Sequence, residues 1–226
     1  MKEIKRISES FKETLTDSNL HNVTIGLAET ITDSFITDGI LRDIPIIGTI
    51  VGLTKASMNV ADTLFLNKIF AFLSELESIK PSDRKKMIDK IDSSEKYSVK
   101  VGEKLLYIID KSDDRETAKL IAKLFVAFLE NELDYSDFLK SAKIIENIYI
   151  GDLTNFLKKD ENQLGQDDID DFLNTGLITT YTEEVSVEDE DDWKAGNRYK
   201  VKGGKTKVYI TWIGDQIRRI LNKDTN

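Results

Sequence analysis

Apolar side chains recur at steps of three and four along most of the chain, with charged residues between them. That spacing predicts a succession of amphipathic helices. The first covers 2–16, where Ile4, Ile7, Phe11 and Leu15 share a face. A second is expected over 23–37 on Ile25, Leu27, Ile31, Phe35 and Ile36, with Gly39 at its C-terminal stop. Asp43 then stands as an N-cap, with Pro45 in the first turn, where its missing N–H costs nothing. From there the pattern continues through Ile47, Ile50, Met58, Phe65, Ile69 and Phe72 to Leu76, as one helix or as two broken near Gly52. Over 64–73 the apolar residues nearly encircle the axis, which marks a central, buried helix. Further helices are expected over 82–92 with Ser82 as cap, over 95–110, over 113–131 with acids in its first turn, and over 135–158. Residues 1–145 therefore form an all-α bundle.

The pattern changes after residue 146. A short helix over 167–174 ends at Gly176, and 177–187 is rich in Thr, Ile, Tyr and Val. Two alternating segments, RYKVK and KTKVYITW, flank Gly203 and Gly204, a two-residue hairpin signal. The closing IGDQIRRIL returns to helical spacing. The expected fold is mainly α: a helical bundle over 1–145, followed over 146–226 by a small α+β module with a β-hairpin.

FLNTGLI at 172–178, followed by YITWIGDQIRRIL at 209–221, resembles the run of helix, Gly-Leu-Ile, wing, Thr-x-x-Gly and helix found in winged-helix proteins. The resemblance covers about a third of the chain and implies a winged-helix-like module. In the N-terminal part DIPIIGTIVG, GEKLLYIID and FVAFLENELDYSDFLK resemble segments of an uncharacterised bacterial helical family, which implies no activity.

Composition removes several chemistries. With no Cys, disulfides, thiol nucleophiles and Cys-zinc sites are excluded, and the single His21 removes His-clustered metals and Ser-His catalysis. His21 itself reads as a surface or capping residue. Gly203, Gly204, Lys205 and Thr206 look like the end of a phosphate loop, but Tyr199 stands where that motif needs Gly, and a strand follows. Asp110, Ser112 and Asp114 open like a calcium loop but lack its Gly and final Glu, so they read as caps. The acids at 167, 168, 170 and 171 suit a helix start better than a divalent ion. No paired carboxylates stand in a hydrolase context. No catalytic residue, metal or cofactor is expected, and the chain reads as a non-enzyme.

Charge is segregated. Residues 160–192 hold thirteen acids and no base, whereas 193–226 hold nine bases and two acids, within a chain of net charge −9. The acidic helix (Asp167, Asp168, Asp171) and the basic wing with the last helix (Lys200, Lys202, Lys205, Lys207, Arg218) are therefore the expected contact residues for a protein partner or a second copy. Nucleic acid is the disfavoured partner, because the helix that would enter a groove carries four Asp and no base. An alternative uses Pro45, Ile47, Gly48, Val51 and Gly52. Small residues at 48, 52 and 56 make a flat ridge for close helix packing, or for contact with a bilayer in a defence or toxicity effector. The charge-free run 44–54 spans about 16 Å as a helix against roughly 30 Å of hydrocarbon, so a lone span is not expected. Charges interrupt the N-terminus as no signal peptide would allow, so a cytoplasmic protein, peripheral at the inner membrane in the alternative, is expected.

Overall fold

The computed structural model describes residues 2–18, 20, 43–53, 59–159, 164–165, 167–190 and 198–223. Its elements are α1 (Lys2–Thr16), α2 (Pro45–Leu53), α3 (Val60–Glu75), α4 (Pro81–Asp92), α5 (Val101–Lys111), α6 (Arg115–Leu129), α7 (Tyr135–Asn147), α8 (Ile150–Lys158) and α9 (Asp167–Phe172). A 3-10 turn (Leu173–Thr175), four strands, β1 (Ile178–Thr182), β2 (Ser186–Glu190), β3 (Arg198–Lys202) and β4 (Thr206–Ile210), and α10 (Trp212–Leu221) complete them. The fold is mainly α with a small α+β module. It divides into two compact units, Met1–Asn147 with Ile220–Asn226, and Ile148–Arg219. The expected helix over 23–37 and His21 lie outside the described residues.

In the first unit α3 packs along α6, and α1 packs against α2 and α5. Aromatic rings run through this core: Phe11 to Phe72 at 6.3 Å, Phe72 to Phe125 at 5.7 Å, and Phe125 to Phe138 at 5.3 Å between centroids. Such tilted contacts add to the burial of the rings themselves. Tyr135 joins the cluster with its hydroxyl buried, and burial pushes that phenol well above its usual pKa.

Helix ends explain where expectation and structure part. Ile44, not Asp43, precedes the first turn of α2, since its carbonyl accepts the Gly48 amide at 3.0 Å. The Ile46 amide, which has no partner within its helix, is taken by the buried Thr14 hydroxyl of α1 at 3.0 Å. A new helix starts at Asn59, whose side chain accepts the Asp62 amide while Asp62 accepts that of Asn59. The 44–76 run is thus two helices. Pro81, not Ser82, opens α4, and α5 begins only at Val101, where Asp92 accepts the amide at 2.8 Å. The expected 135–158 helix is broken after Asn147 and restarts at Ile150. Asp114 caps α6 as expected, accepting the Thr117 amide at 2.8 Å, and that bond holds its carboxyl below the usual range.

Basic side chains close several helix C-termini. Arg84, 1% exposed, donates to the carbonyls of Leu76 and Asp17, which follow α3 and α1. Lys68 donates to Asp110 at 2.7 Å and Ser112 at 2.9 Å at the end of α5, and Lys100 to Asp92 at the end of α4. Cations at these positions satisfy orphan carbonyls and meet the negative end of each helix. Desolvation is the main influence on Arg84 and Lys68 and lowers both pKa values.

Candidate interaction surface

The second unit is built around the turn after α9. Gly176 takes a left-handed φ of 88° just before the buried Leu177 and Ile178, and the rings of the buried Phe156 and Phe172 meet at 5.6 Å. Thr211 then ties the far end of the segment back. Its amide donates to Leu177 O at 2.9 Å, and its hydroxyl donates to Gly176 O at 2.7 Å. The same hydroxyl accepts the Gly214 amide at 3.0 Å and so caps α10. Gly214 is required there, because a Cβ would fall 2.3 Å from Leu177 O. The spacing of Gly-Leu-Ile and Thr-x-x-Gly in the sequence is the record of this clasp.

The strands do not pair as expected. β3 and β4, on either side of Gly203 and Gly204, pair not with each other but with β2 and β1. The two ladders share one register, from Ile178 opposite Ile210 to Glu190 opposite Arg198. Together they make one antiparallel ribbon interrupted midway. Gly203 and Gly204, with φ of 87° and 75°, form the interruption, and a Cβ on Gly203 would fall 1.9 Å from Glu184 O. A turn signal of two glycines here marks a kink in one arm of the ribbon. Lys205 and Thr206 lead into β4 and not into a helix, which removes the phosphate-loop reading.

The charged strands face each other. The arm 178–190 holds five acids and no base, and the arm 198–210 holds five bases and no acid. Lys207 meets Glu183 at 2.7 Å and Lys202 meets Glu188 at 2.5 Å. The bond from Lys207 lowers the Glu183 pKa, and the bond to Glu183 raises that of Lys207. Both pairs are open to solvent and salt.

Strand alternation sorts the rest. In β1 and β4, Ile178 is buried and Val208 and Ile210 are half-buried on one face, while Tyr181 (56% exposed) and Tyr209 (42%) stand on the other with Lys207. Tyr181 lies opposite Lys207, and Tyr209 opposite Thr179. Trp212 follows at 59% exposed, and further along the ribbon Val187 (60%) and Val201 (65%) are cross-strand neighbours. These aromatics were not among the expected contact residues. The signal was present, since the tyrosines occupy the strand phase opposite Ile178, Val208 and Ile210.

The predicted contact residues are redistributed. Asp168 is 4% exposed: it accepts from Lys159 and from the Gly165 amide at 2.9 Å, so it closes the entry to α9 instead of facing a partner. Burial works against its charge, but those two bonds outweigh it and hold the carboxyl below its usual pKa. Asp171 is exposed, and Asp167 is the first residue of a six-residue helix. Arg218 turns onto its own unit, 4.6 Å above the Phe156 ring with a bond to Phe156 O at 2.9 Å. Lys200, Lys202, Lys205 and Lys207 are exposed on the ribbon.

No protein-family model, curated protein or solved structure matches this chain.

The apolar segment is also redistributed. Ile47, with Ile46 and Ile50, belongs to the core of the first unit, while Pro45, Gly48 and Val51 are half-buried. Gly52 is exposed, and a Cβ added there would meet no atom within 4 Å. Ala56 lies outside the described residues, and a close helix approach is present at Gly102, where a Cβ would sit 2.9 Å from Ser8 O. Among the described residues no helix is long and apolar enough to cross a membrane, and no cluster of three carboxylates or histidines could hold a metal.

Proposed function

We propose that this chain is a non-enzymatic interaction protein that binds another protein chain through the outward face of its C-terminal ribbon. The observation that carries this reading is the set of exposed aromatic and aliphatic side chains, Tyr181, Tyr209, Val187 and Val201, on an element whose opposite charges already offset each other, with Trp212 exposed at the start of the helix that follows. Tyr and Trp dominate the energetics of protein interfaces, because they bury large area with few rotors. The same balance of charge argues against DNA: five acids lie across from five bases, and the helix before the ribbon is six residues long and acidic. The test is to use full-length protein, its Tyr181→Ser/Tyr209→Ser variant and its Asp171→Lys variant as baits in parallel. A protein held by the wild type and by Asp171→Lys, and lost with the tyrosine variant, supports the ribbon face. Identical sets from all three baits would overturn it.

A membrane surface is the second reading. It is favoured by Val60 (76% exposed) and Leu64 (57%) on the first turns of α3, and by the open flank of Gly52. Flotation of the full chain with neutral and anionic liposomes, lost on Leu64→Glu, would support it. Protein that stays at the bottom of the gradient with both lipids would dismiss it.

A further inference from the structure

We propose that the occupant of the ribbon face is a second copy of this chain, packed face to face about a two-fold axis that runs along the ribbon. This rests on the reading above and names its partner. A two-stranded ribbon can meet its own copy symmetrically in three ways, and charge separates them. Edge to edge, a two-fold axis always sets a strand against itself. The sequence SVEDE of β2 would then lie against SVEDE, and RYKVK of β3 against RYKVK. Like charges directly opposite are unfavourable, and single-sign edge strands resist such pairing. Face to face with the axis across the ribbon, each arm again lies over its own copy. Only an axis along the ribbon lays the acids in the outward strand phase, Glu183 and Asp189, over the arm whose bases in that phase are Lys205 and Lys207, in both directions at once.

In that arrangement each residue lies level with the cross-strand partner of its counterpart. Tyr181 comes level with Lys207 of the second copy, Tyr209 with Thr179, and Val187 with Val201. A lysine over a tyrosine ring and a valine over a valine are both favourable. The outward face is the available one, since Ile178 on the opposite face of the ribbon is buried and Val208 and Ile210 are half-buried. The arms have thirteen residues each, so the face measures roughly 400 Å² per copy at strand spacing, below the size of a standard stable interface. The dimer is therefore weak and concentration-dependent.

Sedimentation velocity of the full-length chain from about 2 to 200 µM tests this, with a monomer–dimer midpoint expected in the tens of micromolar. Tyr181→Ser/Tyr209→Ser should weaken association at least tenfold while circular dichroism shows the helices unchanged. Raising salt from about 0.05 to 0.5 M should weaken the dimer, because opposite charges face each other. A dimer that strengthens with salt would overturn the chosen axis. The axis has a second readout, since a single introduced cysteine is the only one in the chain. Spin labels on Thr182→Cys, Ser186→Cys and Glu190→Cys should give nearly equal copy-to-copy distances, whereas an axis across the ribbon at any point would make at least two of the three differ by roughly 20 Å. A monomer at every concentration overturns the inference. If the tyrosine variant nevertheless loses a foreign protein, the interaction reading stands without it; if it loses none, both fall.

Discussion

In the N-terminal unit Arg84, Lys68 and Lys100 bind backbone carbonyls at helix ends, whereas in the C-terminal ribbon Lys202 and Lys207 meet carboxylates in open solvent. The residue types are the same and the consequences are opposite. Where the carbonyl is buried, as Leu76 O is under Arg84, the cation satisfies an acceptor that water cannot reach, so its removal exposes a desolvation cost. A cation beside a surface carboxylate exchanges one hydrated state for another, and contributes little to stability. The first arrangement fixes a fold. The second keeps a ribbon soluble and single in register, and leaves its aromatic face for contact.

Four substitutions would break or sharpen that contrast. The largest effect is expected from Phe125→Ala, because this ring touches Phe72, Phe128 and Phe138 at the centre of the first unit. A loss of about 3–5 kcal/mol in denaturant unfolding followed by circular dichroism is expected, from lost burial and the cavity left behind. Next comes a matched pair. Arg84→Met should cost about 2–4 kcal/mol, since it keeps the volume but strands the Leu76 and Asp17 carbonyls. Lys207→Met should leave the unfolding midpoint unchanged. Equal losses from the two would erase the distinction between the regions.

The remaining effect is pH-dependent and belongs to the second unit. The folded Asp168 carboxyl is held below its unfolded value of about 4, so its contribution is complete above that pH. It is lost as the pH falls through the depressed folded value. Asp168→Asn should cost about 1–3 kcal/mol at neutral pH and flatten the acid limb of the stability curve. The check is unfolding of both proteins between neutral pH and about pH 3. Parallel curves would show that the closure by Lys159 and Gly165 carries no linkage.

Periodicity located α1 and α6 nearly to the residue, and acid-rich starts and Gly176 marked real helix ends. It missed the break at 148–149, where apolar spacing continues although Tyr149 is extended, and it left 44–76 open between one helix and two, a choice that the capping box at Asn59 decides. Gly203 and Gly204 were legible as positive-φ positions, but a turn and a mid-ribbon kink demand the same residue. Asp168 and Arg218 read as surface charges because charge alone does not report burial; each is held inward by partners that only the folded chain supplies. The ribbon face was half legible: the strand phase separates Tyr181 and Tyr209 from the core, yet charge segregation drew attention to the lysines.

The central claim is that a second copy covers the outward ribbon face, and tyrosine footprinting tests it most directly. Hydroxyl-radical labelling of the full chain would be compared at low and high protein concentration. Tyr107 and Tyr149, exposed elsewhere, serve as internal references. The account predicts protection of Tyr181 and Tyr209 at high concentration with Tyr107 and Tyr149 unchanged. Equal labelling of all four at both concentrations would contradict it.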